Sequence, residues 1–340
     1  ENGDLVDADL NKTPPPKYLT DCLDLLRASE SDENAHNMHE VALKHLPQLV
    51  RMRPLDLPRL AHDLAFQLLR MEDKFHTDNF SELVSTGLLT LAAEEPVSVG
   101  RMIVSEVFGD MTLVDRLNGL QALEQAAMEL AWLGDKPTCP DGMYQKALKS
   151  TSDAEEQRNE AMNGSITSKF GLRVVSTRMR RSKRSAAKSS INHFSDIGPL
   201  WFYMMLKNFL NTKTNKRIWG GHIGATFLAR LIHTLTVCVE CSRFTREQSM
   251  MASDLIDLSW ELCDADIVSV RSSSLFAVAV SIGHLEERKA IDMITSLGLN
   301  ERLSEVALTD SDDECRKLAN YMLSSTKQLI ESTEPLIQME

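Results

Sequence analysis

Aromatic residues make up only 6 % of the 340-residue sequence, with 4 Trp, 4 Tyr and 11 Phe, and turn formers are sparse at 15 Gly and 11 Pro. Sheet-rich folds draw heavily on both, so the shortage points to helix. Six cysteines are spread along the chain with no dense framework, which excludes a disulfide-stapled scaffold and predicts reduced thiols in a cytoplasmic and nuclear protein. Apolar stretches such as PLWFYMML (199–206) read as too short to cross a bilayer, which takes about 20 residues. No basic-apolar-small start resembles a signal peptide. The chain opens on Glu1 rather than Met, so it is expected to be a fragment.

Basic residues are in deficit overall: 37 Lys and Arg face 49 Asp and Glu, a formal net charge of −12. That balance argues against broad binding to nucleic acid or anionic membrane and favours basic partners. One stretch reverses it. Between Ala161 and Ser195 there is no Asp or Glu but eight Lys or Arg, and without those eight the remaining 29 bases face 49 acids. The densest part, TRMRRSKRSAAK (177–188), carries Arg178, Arg180, Arg181, Lys183, Arg184 and Lys188. Nucleic-acid surfaces interleave such bases with aromatics or mount them on a recognition helix. Only Phe170 and Phe194 flank this run, so it reads as a linker or an import signal ahead of a sequence-reading DNA site.

Catalytic signatures are missing: no GxxxxGK[ST], no strand followed by GxGxxG, no GxSxG and no HExxH. The glycine-rich IWGGHIG (218–224) follows no strand and reads as the start of a helix. Cys238 and Cys241 form a single CxxC without a second ligand pair, and sit in an apolar helical segment where cysteine behaves as a small hydrophobe. His36 and His39 read as a solvated helix face, and His233 and His284 as satisfied core histidines. The expectation is therefore no enzyme, no cofactor and no metal.

What is present is helical periodicity. In LPRLAHDLAFQLLRM (57–71), Leu57, Leu60, Ala61, Leu64, Ala65 and Leu68 form one apolar stripe. Leu113, Leu117, Leu120, Leu123, Ala127 and Leu130 repeat the pattern, and Pro54, Pro58 and Pro96 sit where helices should start. The chain accordingly divides into an acidic, proline-ended tail (1–16), a first helical-repeat block (17–133), a flexible basic linker (134–195), a second helical block (196–334) and a short tail (335–340).

Two segments of the second block look like copies of one unit. Asp266 precedes Arg271, and Asp312 precedes Arg316; the arginines are 45 residues apart, within the ~40–47-residue period of HEAT-type repeats. Acid–arginine pairs between Asp266, Arg271, Asp312 and Arg316 are expected to bridge neighbouring repeats. The fold class expected is all-α, a HEAT-like α-solenoid of stacked antiparallel helix pairs in two blocks. Ser31 and Ser311 lie in acidic contexts that match acid-directed phosphorylation, but each also reads as a helix N-cap.

The stretch PKYLTDCLDLL (16–26) resembles the opening of the conserved block of the telomere length regulation protein family. LPQLVR (46–51) with Pro54, DLAFQLL (63–69) with Lys74 and Phe75, and AMELA (127–131) follow in that family's order. NHF (192–194) is similar to the start of its second helical block, and DSDDECRKLA (310–319) to a later part. Two departures stand out: Pro199 precedes WFYMM where the family closes a phenylalanine-rich run in Pro-Leu, and residues 1–16 lack serine. The resemblance implies a non-catalytic scaffold in a three-protein complex with two other helical-repeat proteins. That complex supports heat-shock-chaperone-assisted maturation of phosphatidylinositol-kinase-like protein kinases, and so checkpoints, nutrient signalling and telomere maintenance. It also implies that the phosphoserine dock for a co-chaperone adaptor lies outside this chain. The alternative is a telomeric or general nucleic-acid-binding protein acting through residues 173–188.

Overall fold

A computed structural model describes residues 13–29, 31–32, 34–132, 165–167, 173–175, 192–243 and 245–337. Among these residues there are 14 helices and one short antiparallel strand pair, which makes the chain an all-α helical-repeat protein. Contacts divide it into two units: Glu1–Leu130 with Tyr203–Ile218, and Ala131–Phe202 with Trp219–Glu340.

The first unit contains α1 (Leu19–Leu26), α2 (Ala35–Arg51), α3 (Leu57–Leu69), α4 (Phe80–Glu94), α5 (Pro96–Glu106) and α6 (Leu113–Trp132). Sequential helices pair, as α1 does with α2, and alternate helices stack: α1 on α3 on α5, and α2 on α4. This two-layer stacking follows from the width of each apolar stripe. One stripe faces both its hairpin partner and the next repeat, so no helix pair is stable alone. The six stripe residues of α3 expected to be buried are all buried. Pro58 and Pro96 lie in the first turns of α3 and α5, where a missing N–H costs nothing. Close packing here is tight: a side chain at Gly119 of α6 would meet Val107 Cγ1 at 2.8 Å and both Ile103 Cγ2 and Leu69 Cδ1 at 3.2 Å.

Strands β1 (Ser165–Thr167) and β2 (Arg173–Val175) pair antiparallel, Ile166 opposite Val174, inside the segment read as a linker. β-Branched residues favour this locally. The following helices are α7 (Gly198–Thr212), α8 (Lys216–Trp219), α9 (Gly221–Cys241), α10 (Gln248–Leu262), α11 (Val268–Ile282), α12 (Glu287–Ser296), α13 (Leu299–Thr309) and α14 (Asp313–Ile337). In the second unit α9, α11 and α14 form one row, with α10 against α11 and α13 against α14. Gly221 starts α9 at φ +62°, a left-handed turn open to glycine, so the glycine-rich segment is a helix start as expected.

One expectation is corrected by α9. Its 21 residues are long and apolar enough to span a bilayer, but 72 % of its most apolar 18-residue stretch is buried within the fold. The helix is apolar nearly all round because it is packed by α10 and α11.

Gly119→Val should overpack the α5–α6 contact and cost ~1–3 kcal/mol. The check is a fall in the urea unfolding midpoint with an unchanged slope; an unchanged midpoint would show that the neighbours yield freely.

Candidate functional site: an arginine clasp and the links between repeats

Arg271 is the fourth residue of α11, and Arg316 the fourth of α14. From that position each side chain reaches back over its own helix start. Arg271 Nη1 donates to the carbonyls of Ala265 at 2.9 Å and Asp266 at 3.0 Å, and Arg316 Nη1 donates to the Asp310 carbonyl at 2.6 Å. Arg116, the fourth residue of α6, does the same, with Nη2 on Gly109 O at 2.9 Å and Nε on Met111 O at 3.2 Å. Carbonyls in a half-buried loop need donors, and a guanidinium supplies several in a fixed plane. Three helix starts share one clasp.

The inter-repeat partner differs from the acids the sequence suggested. Asp310, in the turn between α13 and α14, takes the Arg271 guanidinium through two parallel bonds: Nε to Oδ2 and Nη2 to Oδ1, both at 3.0 Å. The two side chains are 13 % and 7 % exposed, so this is a nearly dry pair. Burial pushes the Asp310 carboxyl up, but the Arg271 guanidinium and the Asp312 amide outweigh it and hold it below the usual carboxylate range. Asp312 is occupied elsewhere: its Oδ1 accepts from the amides of Glu314 at 3.1 Å and Cys315 at 3.0 Å, capping α14. Asp266 contributes its carbonyl to the clasp. Arg316 Nη2 reaches Asp313 of its own helix at 3.3 Å.

The serines are also corrected. Asp312, rather than Ser311, caps α14, because it lies one residue nearer the helix; the Ser311 hydroxyl is 3.4 Å from Arg271 Nη2. Ser31 pairs with the Ser29 hydroxyl at 2.9 Å, while Asn34 is the N-cap residue of α2.

Polar links join the opposite ends of stacked helices. At the C-terminal end of α2, Arg51 donates from Nη1 to Glu94 of α4 at 2.9 Å and from Nη2 to Glu129 of α6 at 2.7 Å. Both carboxylates are nearly buried, at 6 % and 9 %. Burial opposes the charge on Arg51, yet Glu129 and Glu94 outweigh it and raise its pKa. In the second unit the His284 ring, after α11, bonds Glu240 of α9 at 2.5 Å and Gln248 of α10 at 3.0 Å. Burial and the nearby Arg243 push its pKa down to about 4, so a neutral imidazole donates to Glu240.

Cys238 and Cys241 are buried in α9, and burial pushes the Cys241 thiol up to about 12. Among the described residues no three His, Cys, Asp or Glu gather as a metal site. His39 is not solvated: it is buried, its Nε2 lies 3.2 Å from the Ala28 carbonyl, and its ring meets Phe75 edge-on at 5.1 Å. Arg178, Arg180, Arg181, Lys183, Arg184 and Lys188 lie outside the described residues.

Stacked helix pairs, clasped at their starts and linked by ion pairs, define a helical-repeat protein. Residues 16–127 match the model of the telomere length regulation protein family. Over 92 % of its length the chain is similar to the telomere length regulation protein TEL2 homologs of Xenopus tropicalis (24 % identical over 325 residues) and Homo sapiens (26 % over 325 residues). Over 31 % of its length it is 28 % identical to the telomere length regulation protein clk-2 of Caenorhabditis elegans. The chain spans 38 % of each of the two vertebrate relatives and 12 % of the worm protein. The family is a telomere-regulation family rather than a known enzyme family.

Asp310→Ala should cost ~2–4 kcal/mol, because it strands a nearly buried guanidinium. Asp266→Ala keeps the carbonyl and should stay within about 0.5 kcal/mol of the parent. Because the folded Asp310 carboxyl titrates below its unfolded value of about 3.9, its contribution is complete above that pH and fades as pH falls through the folded pKa. Urea titrations at pH 7 and pH 3 should therefore show the parent and Asp310→Asn converging at the lower pH. Equal costs for Asp310→Ala and Asp266→Ala would contradict this assignment.

Proposed function

We propose that the chain is a non-catalytic scaffold for the maturation of phosphatidylinositol-kinase-like protein kinases, working with two other helical-repeat proteins and the heat-shock chaperone machinery. The observation that carries this is the similarity over 92 % of the chain to proteins named for telomere length regulation. Telomere maintenance, checkpoint signalling and nutrient signalling all depend on large kinases of that class, so one scaffold serves all three. It would act in the cytoplasm and the nucleus, where those kinases are made and used.

The physical support is the build of the array. Within each unit amphipathic helices stack on their neighbours, and the Arg271–Asp310 pair and the end links tie neighbouring repeats together. A scaffold needs such register, since partners bound to different repeats must keep a constant spacing. Nucleic-acid binding through residues 173–188 remains the competing activity, and it would be salt-sensitive and indifferent to sequence.

The test replaces the native protein in cells with an Arg271→Glu/Arg316→Glu variant. Charge reversal sets Arg271→Glu against Asp310 and withdraws donors from both helix starts, loosening the second unit. Several phosphatidylinositol-kinase-like kinases should fall in steady-state protein by about half or more while their transcripts stay level. Quantitative immunoblots beside transcript measurements decide it. Normal kinase abundance with a demonstrably destabilised variant would count against the scaffold.

A further inference from the structure

Ser311 stands in the turn between α13 and α14, and its sequence context fits two roles, a helix cap or an acceptor for acid-directed phosphorylation. The cap belongs to Asp312, whose Oδ1 takes the amides of Glu314 and Cys315. The serine is left exposed, with Asp310 before it and Asp312, Asp313 and Glu314 at the next three positions. Nearby hydroxyls are differently placed: Ser304 and Thr309 donate within α13, to the carbonyls of Asn300 at 2.7 Å and Glu305 at 2.8 Å. The backbone at Asp310 is extended, with φ −60° and ψ 137°, so the chain has left the helical path just before the serine.

This hydroxyl also faces the junction between repeats, its Oγ 3.4 Å from Arg271 Nη2. The guanidinium is already engaged. Its Nη1 holds the carbonyls of Ala265 and Asp266, and Nε and Nη2 hold the Asp310 carboxylate. Arg316 is engaged as well, through Nη1 on the Asp310 carbonyl and Nη2 on Asp313, and Lys317 pairs with Asp313. A phosphate on serine brings a charge of about −1.5 to −2 at pH 7 and three strong acceptor oxygens. Its charged oxygens would compete with Asp310 for the same Nε and Nη2 donors. The phosphate would also stand between the carboxylates of Asp310 and Asp312, and like charges side by side repel. Both effects act in one direction, toward a weaker link between α11 and the 310–312 turn.

We propose that Ser311 is a phosphorylation site for an acid-directed protein kinase, and that its phosphate loosens the Arg271–Asp310 link between repeats. In the transfer the Ser311 oxygen bonds to the γ-phosphorus of ATP while the bond from that phosphorus to the bridging oxygen of ADP breaks. ADP leaves with the electron pair, and the hydroxyl proton passes to the kinase's own catalytic base. The acids at the three following positions supply the charge such a kinase reads, and Glu314 is the one whose carboxylate is not the cap of α14. The modification acts on the junction itself, whatever partners the array binds, so its test is separate from the abundance of client kinases in cells.

The test treats the folded 340-residue chain with an acid-directed protein kinase and ATP, and maps the product by peptide mass spectrometry. Phosphate should appear on Ser311 in the parent and be missing from that peptide in Ser311→Ala. Glu314→Gln should slow its incorporation about fivefold or more, because one of the recognised charges is gone. Hydrogen exchange then reads the consequence: in the phosphorylated parent, amides of 266–271 and 310–316 should exchange about tenfold or more faster, while α1 to α5 stay unchanged. Ser311→Ala carried through the same reaction should keep its original protection. Four results would each overturn the proposal: no phosphate on Ser311, incorporation only after unfolding in urea, a rate indifferent to Glu314→Gln, or a phosphorylated junction as well protected as before.

Discussion

An arginine at the fourth position of a helix, reaching back to the carbonyls that precede it, is the contact on which these repeats depend. A tight turn leading into a packed helix leaves carbonyls that neither the helix nor water fully satisfies. Arg116, Arg271 and Arg316 satisfy them, and in doing so they set the angle at which each helix leaves its turn. Arg271 goes further, since its remaining donors take the Asp310 carboxylate. Asp310 is thus a junction: its side chain holds α11, its carbonyl holds Arg316, and its Oδ1 also accepts the Asp312 amide at 2.8 Å.

The opposite ends of the helices are tied by different chemistry to the same effect. Arg51 spans α2, α4 and α6 through two nearly buried carboxylates, and His284 joins Glu240 to Gln248 across α9 and α10. Buried ion pairs add little net stability over apolar packing, yet each is costly to break. Their contribution is register. Apolar stripes slide past one another with small penalties, whereas a two-pronged Arg–carboxylate pair tolerates little displacement.

The all-α repeat fold was legible in the sequence because periodicity reports burial directly: Leu60, Leu64 and Leu68 recur with the helix and are buried with it. The 45-residue spacing of Arg271 and Arg316 was legible for the same reason, as copies of one unit preserve position. Their partners were not. A clasp onto carbonyls leaves no trace in residue types, so Arg116 passed unnoticed. Asp312 looked like a partner by its distance from Arg316, but a residue just before a helix is drawn into capping it, which leaves Asp310 to face Arg271. Arg51 and Glu129 are 78 residues apart, and their link exists only after packing.

A repeat scaffold is useful only if disturbance at one junction is felt by its neighbours, because that coupling is what makes the array stiff. Hydrogen exchange followed by mass spectrometry on Arg271→Ala measures this coupling most directly. The account predicts that protection falls together in α11, in the 310–312 turn and in α14, and that the start of α14 loses protection although Arg316 is intact. Faster exchange confined to the first turn of α11 would contradict it, and would reduce the clasp to a local feature of one helix.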